Sequence, residues 1–295
     1  MDLFLQQFTS GIASGSLFAI LALAIVLTYR STGTLNFAQG QMAMFTTFIA
    51  WSALGAAMGF WLTFFLTLLA AAAMGALVER LVVRHIEGTS ELNNLIVALG
   101  LFLIFDGLAL YIWGPLPRGF GPFSLFAGSP TCVGDVCIGR LNLGILAAAV
   151  IVMVLLFLLF QRTKFGLAMR ATAQNRIASQ LVGIPVGRML SFGWGLGAAV
   201  GAVAGILVAQ NLGLDTGTMF TVLLFALAAA ILGGLDSPVG AVLGGLAIGV
   251  VKNMAGTYVP SSVGGTDLTV AFALIVVVLM VRPSGIFGRT GQRRV

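Results

Sequence analysis

The sequence predicts an all-α membrane protein with about eight to ten transmembrane helices, some of them discontinuous. Of its 295 residues, 59% are hydrophobic and only 8% are charged, whereas an average soluble domain has about 25% charged residues. A membrane-spanning helix needs about 20 mostly apolar residues, so nine such helices would use about 180 residues. We therefore expect a single transmembrane domain over residues 1–295 and no separate soluble domain.

Nine apolar runs in the sequence are candidates for these helices. The last two are shorter than the others. The glycines and the proline between Gly233 and Gly240 would also allow the seventh and eighth runs to form a broken or re-entrant pair. The predicted spans are 11–29, 36–57, 60–78, 93–113, 141–160, 190–210, 217–234, 238–252 and 268–281.

The positions of lysine and arginine predict the orientation of the chain, because cytoplasmic loops are enriched in these residues. With the N-terminus outside, twelve of the 15 basic residues are cytoplasmic. Only Arg118, Arg140 and Lys252 are then outside. The sequence therefore predicts a cytoplasmic C-terminus, and membrane topology accounts for the net charge of +6 without a nucleic-acid partner.

Two cysteines, Cys132 and Cys137, lie in the loop of about residues 114–140, which this orientation places outside. Disulfides form and persist in oxidising surroundings, so a small disulfide-closed loop is one interpretation and two free thiols are the other. The single histidine, His85, is predicted on the opposite side. We therefore expect no metal site.

The stretch from Ser31 to Gln41 reads STGTLNFAQGQ and lies between two strongly apolar runs. Irregular polar backbone within a membrane is tolerated only where it is buried in protein or lines a water-filled cavity. Side-chain amides both donate and accept hydrogen bonds, which suits a polar solute without net charge. We interpret the stretch as a wall of a translocation pathway, although such amides also hold helices together. The candidate pathway residues here are Asn36, Phe37, Gln39, Gly40 and Gln41.

A second polar interruption, GGLDSPVG, lies between the seventh and eighth predicted spans. Asp236 is suited to cap the helix that Pro238 helps to start, because an acid there accepts backbone N–H bonds and complements the helix dipole. Contact of Asp236 and Ser237 with the pathway or with a partner is the other interpretation. Paired interruptions of this kind point to the transport site in folds built from repeats.

The predicted cytoplasmic loop of residues 161–188 mixes basic residues with small residues at helical spacing. A short helix that lies along the membrane surface and docks into another protein has this character. A helix that merely binds lipid headgroups has it too. Both interpretations predict a surface helix in this loop.

Asp106 is the only acid deep within a predicted span. An unpaired carboxylate there costs about 2.5–3.5 kcal/mol on insertion scales. We therefore expect Asp106 to be paired, protonated or in contact with water. Structural pairing is the favoured interpretation, and proton coupling is the alternative.

Glycines recur at four-residue spacing at Gly193, Gly197, Gly201 and Gly205. In lipid, helices associate by close backbone approach along such ridges. Packing within one subunit is the favoured interpretation of this ridge, and an interface between subunits is the alternative.

Several enzyme motifs are absent from the sequence. It has no G-x-x-x-x-G-K-[ST] phosphate loop and no G-x-S-x-G turn, which are the marks of many ATPases and hydrolases. We therefore expect neither ATP hydrolysis nor other enzymatic chemistry within this polypeptide.

Four segments together resemble the LivH-type permease of branched-chain amino-acid ABC importers. They occur in the family's order over nearly the whole chain, and they are LALAIVLTYRSTGTLNFAQGQMAMFTTFIAW, FGLAMRATAQNRIASQLVGIPVGR, GGLDSPVGAVLGG and VRPSGIFG. The resemblance implies a permease subunit in a bacterial cytoplasmic (inner) membrane. The implied partners are a LivM-like second permease, two cytoplasmic ATPase subunits that hold ATP and Mg²⁺, an extracytoplasmic solute-binding protein and membrane lipid.

The resemblance also assigns residues. The NFAQG run matches the family's signature near the pathway, and the 161–188 loop matches its ATPase-coupling segment. Gln41 and Gln174 stand where family members often carry an acid, which leaves the solute open among branched-chain and other amino acids, amides and urea. The implied coupling residues are Gly166, Arg170, Ala171, Asn175, Ala178 and Gly183.

The resulting prediction is a permease that imports a small polar solute by alternating access, powered by the partner ATPases. Branched-chain or other neutral amino acids are the favoured solutes. No cofactor is expected in this chain. The alternative is an ion-coupled secondary transporter or channel acting alone, with Asp106 as its coupling acid.

Overall fold

The computed structural model describes residues 2–86, 89–120, 131–133, 136–258, 266–282 and 285–288. These residues form a bundle of helices and one small antiparallel ribbon. The first half of the bundle contains α1 (Asp2–Thr32), α2 (Gln39–Gly55), α3 (Phe60–Val78), a π-helical turn (Glu79–Val83), α4 (Arg84–Ile86) and α5 (Glu91–Trp113). The ribbon follows, with β1 (Thr131–Val133) and β2 (Val136–Ile138). The second half contains α6 (Arg140–Arg162), α7 (Lys164–Gln174), α8 (Arg176–Leu181), α9 (Val186–Leu212), α10 (Thr216–Gly233), α11 (Pro238–Tyr258) and α12 (Thr266–Val281).

Each of the nine predicted spans corresponds to a helix, which confirms the predicted fold class. Among the described residues, seven helices are long and apolar enough to cross a membrane: α1, α3 with its continuation to Ile86, α5, α6, α9, α10 and α11. The other two are shorter, since α2 has 17 residues and α12 has 16.

Three details of the predicted spans differ from the structure. The eighth span is not short, because α11 has 21 residues and continues to Tyr258. The seventh and eighth spans do not form a broken pair either, because α10 and α11 are two continuous helices joined by a tight turn at residues 234–237. The first helix also begins earlier than predicted, at Asp2.

The centre of the bundle is formed by α1 and α9. Their most apolar stretches are 89% and 83% buried, whereas those of α3, α5 and α6 are 28%, 22% and 28% buried. A helix that is apolar on all sides belongs in a packed interior or in lipid. The outer helices therefore present their apolar faces to lipid or to another subunit.

Glycines bring the backbones of the central helices into contact. A Cβ atom on Gly245 of α11 would lie 2.6 Å from the Cα of Ala19 in α1, and one on Gly197 of α9 would lie 2.7 Å from Cγ2 of Thr28 in α1. No side chain fits at such distances. The ridge on α9 thus packs against helices of the same chain, as the favoured interpretation predicted.

The ribbon places Cys132 directly opposite Cys137 in its backbone register. Residues opposite each other in an antiparallel pair have Cα atoms about 4.5–5.5 Å apart, a separation at which disulfides form. The disulfide itself stays a prediction. Residues 121–130 of the same predicted external loop lie outside the described residues.

We predict that Gly249→Ala destabilises the fold and that Gly256→Ala, on the same helix, does not. A Cβ atom on Gly249 would lie 2.5 Å from the carbonyl oxygen of Gly11, whereas one on Gly256 would meet nothing within 4 Å. Overpacking costs about 1–3 kcal/mol, and Gly256→Ala gains helix propensity instead. Thermal unfolding in detergent tests this. Equal midpoints for the two variants would contradict the close packing of α1 on α11.

We also predict that protein purified without reductant contains a Cys132–Cys137 disulfide. Thiol titration of the unfolded, unreduced chain should find no free thiol, and its intact mass should rise by two hydrogens on reduction. The double variant Cys132→Ser, Cys137→Ser is the control, because its mass should not change on reduction. Two titratable thiols before reduction would refute the prediction.

Candidate translocation site and coupling segment

The first turn of α2 is enclosed by protein, and Gln39, Gly40 and Gln41 are all buried. Trp113 Nε1 donates to Ser52 Oγ at 2.7 Å, and Trp51 Nε1 donates to the carbonyl oxygen of Gly119 at 3.0 Å. We call the end of the bundle at these four residues the ribbon end. Gln41 lies about 16 Å along α2 from Ser52, at 1.5 Å per residue. The irregular residues 33–38 therefore precede a helix whose first turn is deep in the protein, where backbone polar groups need partners.

Two amides at this break bond to protein groups. Asn36 Oδ1 accepts from the backbone N–H of Ala38, and Asn36 Nδ2 donates to Gln39 Oε1, both at 3.0 Å. Gln39 Nε2 then donates to the carbonyl oxygen of Gly197 in α9 at 3.0 Å. Both side chains are fully buried. In this conformation these two amides hold α2 against α9, which is the interhelical role that the sequence left as an alternative.

The other candidates on this stretch have different surroundings. Gly40 packs against α10, where a Cβ atom would lie 2.9 Å from Cβ of Leu223. Phe37 lines a cavity of about 510 Å³ together with Gly33 and Leu235. This cavity joins the first polar break to the second.

Gln41 contacts Asp106, the acid within the apolar stretch of α5. Gln41 Nε2 donates to Asp106 Oδ1 at 3.0 Å, so Asp106 is paired, as the favoured interpretation predicted. Its partner is a neutral amide and not a cation. The stretch that looked free of charge in the sequence is therefore in direct contact with a carboxyl group.

The second break differs from its prediction. Ser237, and not Asp236, caps α11, because Ser237 Oγ accepts from the backbone N–H of Gly240 at 3.0 Å. Asp236 is exposed. Both residues line a cavity of about 770 Å³ that also touches Thr32 and Arg170. The structure thus places Asp236 and Ser237 beside the coupling segment and the end of α1.

The coupling segment folds as two short helices, α7 and α8, each with its own cap. Thr163 Oγ1 accepts from the N–H of Gly166 at 3.1 Å, and Asn175 Oδ1 accepts from the N–H of Ala178 at 2.9 Å. Asn175 therefore has a structural role as well as the coupling role that the resemblance implies. Gly183 ends the segment with φ of +83°, a conformation that glycine adopts without strain.

One arginine ties this segment to the polar break. Arg176 Nη2 donates to the carbonyl oxygens of Ser31 and Thr32, at 3.4 Å and 3.0 Å. Ala171 accepts the N–H of Asn175 within the segment at 3.0 Å. The start of α8 is thereby bonded to the last turn of α1, next to residues 33–38.

Comparison with known proteins identifies the family. Residues 7–281 match the model of the family described as branched-chain amino acid transport system / permease component. The chain belongs to this family. It is 30% identical to the high-affinity branched-chain amino acid transport system permease protein LivH of Salmonella typhimurium (strain LT2), and the match covers 99% of this chain and 98% of that protein. The protein BraD of Pseudomonas aeruginosa, named in the same terms, matches with the same identity and coverage.

Two further matches are weaker. A probable branched-chain amino acid transport permease protein LivH of Methanocaldococcus jannaschii is 28% identical over 92% of this chain and 89% of its own length. Among solved structures, PsaBC from Streptococcus pneumoniae in complex with a Fab is 14% identical, with a TM-score of 0.48 over 95% of this chain and 92% of that one. A likeness of that strength does not establish a common fold.

Family membership confirms the resemblance drawn from the four segments. The chain is a permease subunit of an ABC importer, and with seven helices that can cross a membrane among its described residues it is a multi-pass membrane protein. The pathway and coupling residues named above stay predictions, because their placement in the structure does not test their roles.

A charged cluster at the end of α3 has no counterpart in the sequence prediction. Arg84 donates to both carboxylate oxygens of the fully buried Glu79, at 3.1 Å and 2.9 Å, and to the carbonyl oxygen of Gly187 at 2.7 Å. Ser191 on α9 also donates to Glu79. The cluster locks α3 to the first turns of α9, directly after the coupling segment.

The spacing explains why this cluster escapes a sequence search. Glu79 and Arg84 are five residues apart, whereas pairs on an ordinary helix are three or four apart. The π-helical turn Glu79–Val83 brings the two onto one face. Such turns are frequent at functional sites. An acid and a base five residues apart near a helix end is the sequence signal that would have indicated this cluster.

We predict that Arg84→Gln destabilises the protein by about 3 kcal/mol, because it leaves the buried Glu79 carboxylate without its counter-charge. Arg80→Gln is the matched control, since Arg80 is exposed and should change stability by less than about 0.5 kcal/mol. The double variant Glu79→Gln, Arg84→Gln should recover part of the loss. Thermal unfolding in detergent measures all three. Equal effects of Arg84→Gln and Arg80→Gln would contradict a stabilising role for the cluster.

Proposed function

We propose that this permease subunit imports branched-chain or other neutral amino acids by alternating access, powered by ATP and Mg²⁺ in partner ATPase subunits. The observation that carries the proposal is the link from Arg176 to the carbonyl oxygens of Ser31 and Thr32. It joins the coupling segment to the end of α1, and residues 33–38 continue from there to the amides of α2. A partner that displaces α8 thereby acts on the pathway residues.

The surface of α8 supports a protein partner at this place. Ile177, Leu181 and Val182 are 72%, 83% and 76% exposed, and Arg170 and Arg188 lie on the same segment. An apolar patch with a polar rim marks a docking surface. We therefore propose that this surface binds the ATPase subunit.

The remaining partners follow from the family. We propose a LivM-like second permease against the exposed faces of the outer helices and an extracytoplasmic solute-binding protein at the ribbon end. The proposed location is a bacterial cytoplasmic membrane, with the N-terminus outside and the C-terminus cytoplasmic. Support comes from the basic residues of the α7–α8 end, which the positive-inside rule assigns to the cytoplasm.

The choice of solute is supported by the relatives and by the chemistry of the break. The relatives are named as branched-chain amino acid permeases. Neutral amides suit a solute without net charge, because they do not hold an ion tightly. Of the three at this break, Gln41 keeps an acceptor without a partner, whereas Asn36 and Gln39 would have to open their present bonds to reach a solute. Leucine is therefore the first solute to test.

Reconstitution tests the function directly. We consider proteoliposomes that contain this chain, a second permease, two ATPases and the binding protein. They should take up leucine only when the ATPases face the interior and ATP is present inside. Omission of this chain, or of any one partner, should abolish uptake. If uptake required this chain but continued with inactive ATPases, or if this chain alone moved leucine along a proton or sodium gradient, the proposal would fail.

We predict that Leu181→Glu prevents binding of the ATPase subunit and thereby stops import. A carboxylate in the centre of the apolar docking patch is costly to bury in an interface, so leucine uptake should fall at least tenfold and the ATPase subunit should no longer co-purify. Gln174→Glu is the matched control, because it introduces the same side chain at an exposed position of the same segment. Equal uptake by the two variants would remove the patch from the mechanism.

A further inference from the structure

At the contact between Gln41 and Asp106, two acceptors have no donor among the described residues: Oε1 of Gln41 and the second carboxylate oxygen of Asp106. Gln41 is 1% exposed, its Nε2 donates to Asp106 Oδ1, and its Oε1 is buried without a partner. Among the described residues, no other side chain donates to Asp106 and no basic side chain pairs with it. A buried acceptor without a donor costs free energy. A group that brings N–H donors and a positive charge would satisfy both residues.

Asp106 lies at the edge of an exposed face of α5. Leu99, Leu103 and Leu110 are seven and three residues before Asp106 and four residues after it, so they share its side of the helix. All three are exposed, Leu103 by 67%, and Asp106 is half-buried at the edge of this face. A carboxyl group at this depth almost always faces a bundle interior or a water-filled cavity. This edge of α5 therefore borders a polar space in the assembled importer.

The free acceptors of Gln41 and Asp106 suit some cations better than others. A guanidinium binds best to both oxygens of one carboxylate, but Asp106 Oδ1 already accepts from Gln41. Calcium and magnesium need six or more oxygen ligands, and the pair supplies few. An ammonium group has three N–H donors that point in different directions, so it can reach the second oxygen of Asp106 and Oε1 of Gln41 together.

We propose that Asp106 and Gln41 form a subsite that binds the primary ammonium group of the solute on its way through the permease. The subsite rests on the proposed function, because it assigns the ammonium to a transported amino acid. The solute's carboxylate is not held here. Asp106 acts by charge and Gln41 acts as an acceptor, so the pair selects amino acids over amides and urea, which lack an ammonium group.

Charged thiol reagents test the subsite in the assembled importer. In a chain with Cys132→Ser and Cys137→Ser, Leu103→Cys places a thiol one helical turn from Asp106. Aminoethyl methanethiosulfonate carries an ammonium group, and sulfonatoethyl methanethiosulfonate carries a negative charge. We expect the ratio of their reaction rates to fall about tenfold when Asp106→Asn is added. Leucine should also slow the reaction of the cationic reagent.

The neighbouring position is the matched control. Ile104 is 55% exposed and points to the far side of α5, about 160° around the helix from Asp106. The ratio at Ile104→Cys should not depend on Asp106. If neither reagent modified Leu103→Cys, this face would be against lipid and the proposal would be overturned. A ratio at Leu103→Cys that ignored Asp106→Asn would overturn it as well.

Uptake assays separate this proposal from the proposed function. Asp106→Asn keeps the size of the side chain, so the partners should still co-purify, but leucine uptake should fall at least tenfold, and Asp106→Glu should restore part of it. Normal uptake by Asp106→Asn would remove the subsite alone. No uptake by the unmodified importer would remove the proposed function. Loss of the second permease from Asp106→Asn would assign the counter-charge to that partner and overturn the solute subsite.

Discussion

Every backbone polar group inside a membrane needs a partner, and the irregular residues 33–38 create that demand between α1 and α2. Asn36 meets it locally by accepting from the N–H of Ala38. Gln39 meets it at a distance by donating to the carbonyl oxygen of Gly197. A side-chain amide carries donors and an acceptor together, which is why these residue types allow helix α2 to begin deep in the bundle.

The glycine ridge of α9 is the other half of the same arrangement. Because α9 has no side chain at Gly197 and Gly201, Gln39 reaches the backbone of α9, and a Cβ atom on Gly201 would lie 2.6 Å from Gln39 Nε2. The ridge also packs against α1 through Thr28. Close helix packing and the support of the polar break therefore depend on the same small residues, and enlarging either glycine would disturb both.

Local sequence patterns predicted the helices, but they did not predict which side chains contact each other across helices. Apolar runs located the nine helices that correspond to the predicted spans, because the length and hydrophobicity of a run are local properties of the sequence. Asp236 was taken as the cap of α11, but Ser237 has the hydroxyl at the right distance. Gln41 was read as part of an uncharged stretch, and Asp106, which contacts it, lies in another helix. Glu79 and Arg84 were missed because only a π-helical turn aligns them. Such pairings depend on the tertiary packing, which one sequence does not display.

The proposed route from the coupling segment to the pathway residues is bordered by two sets of contacts. On one side, Arg176 bonds α8 to the last turn of α1. On the other, Gln39 bonds α2 to α9, and Glu79, Arg84 and Ser191 lock α3 to α9. Between them, Gly33 has φ of +77° and no atom within 4 Å of its Cβ position. Gly33 thus gives the connection between α1 and α2 conformational freedom next to the contact that α8 makes, whereas α1 itself is packed against α9 at Thr28. This connection leads directly into the amides of the predicted pathway.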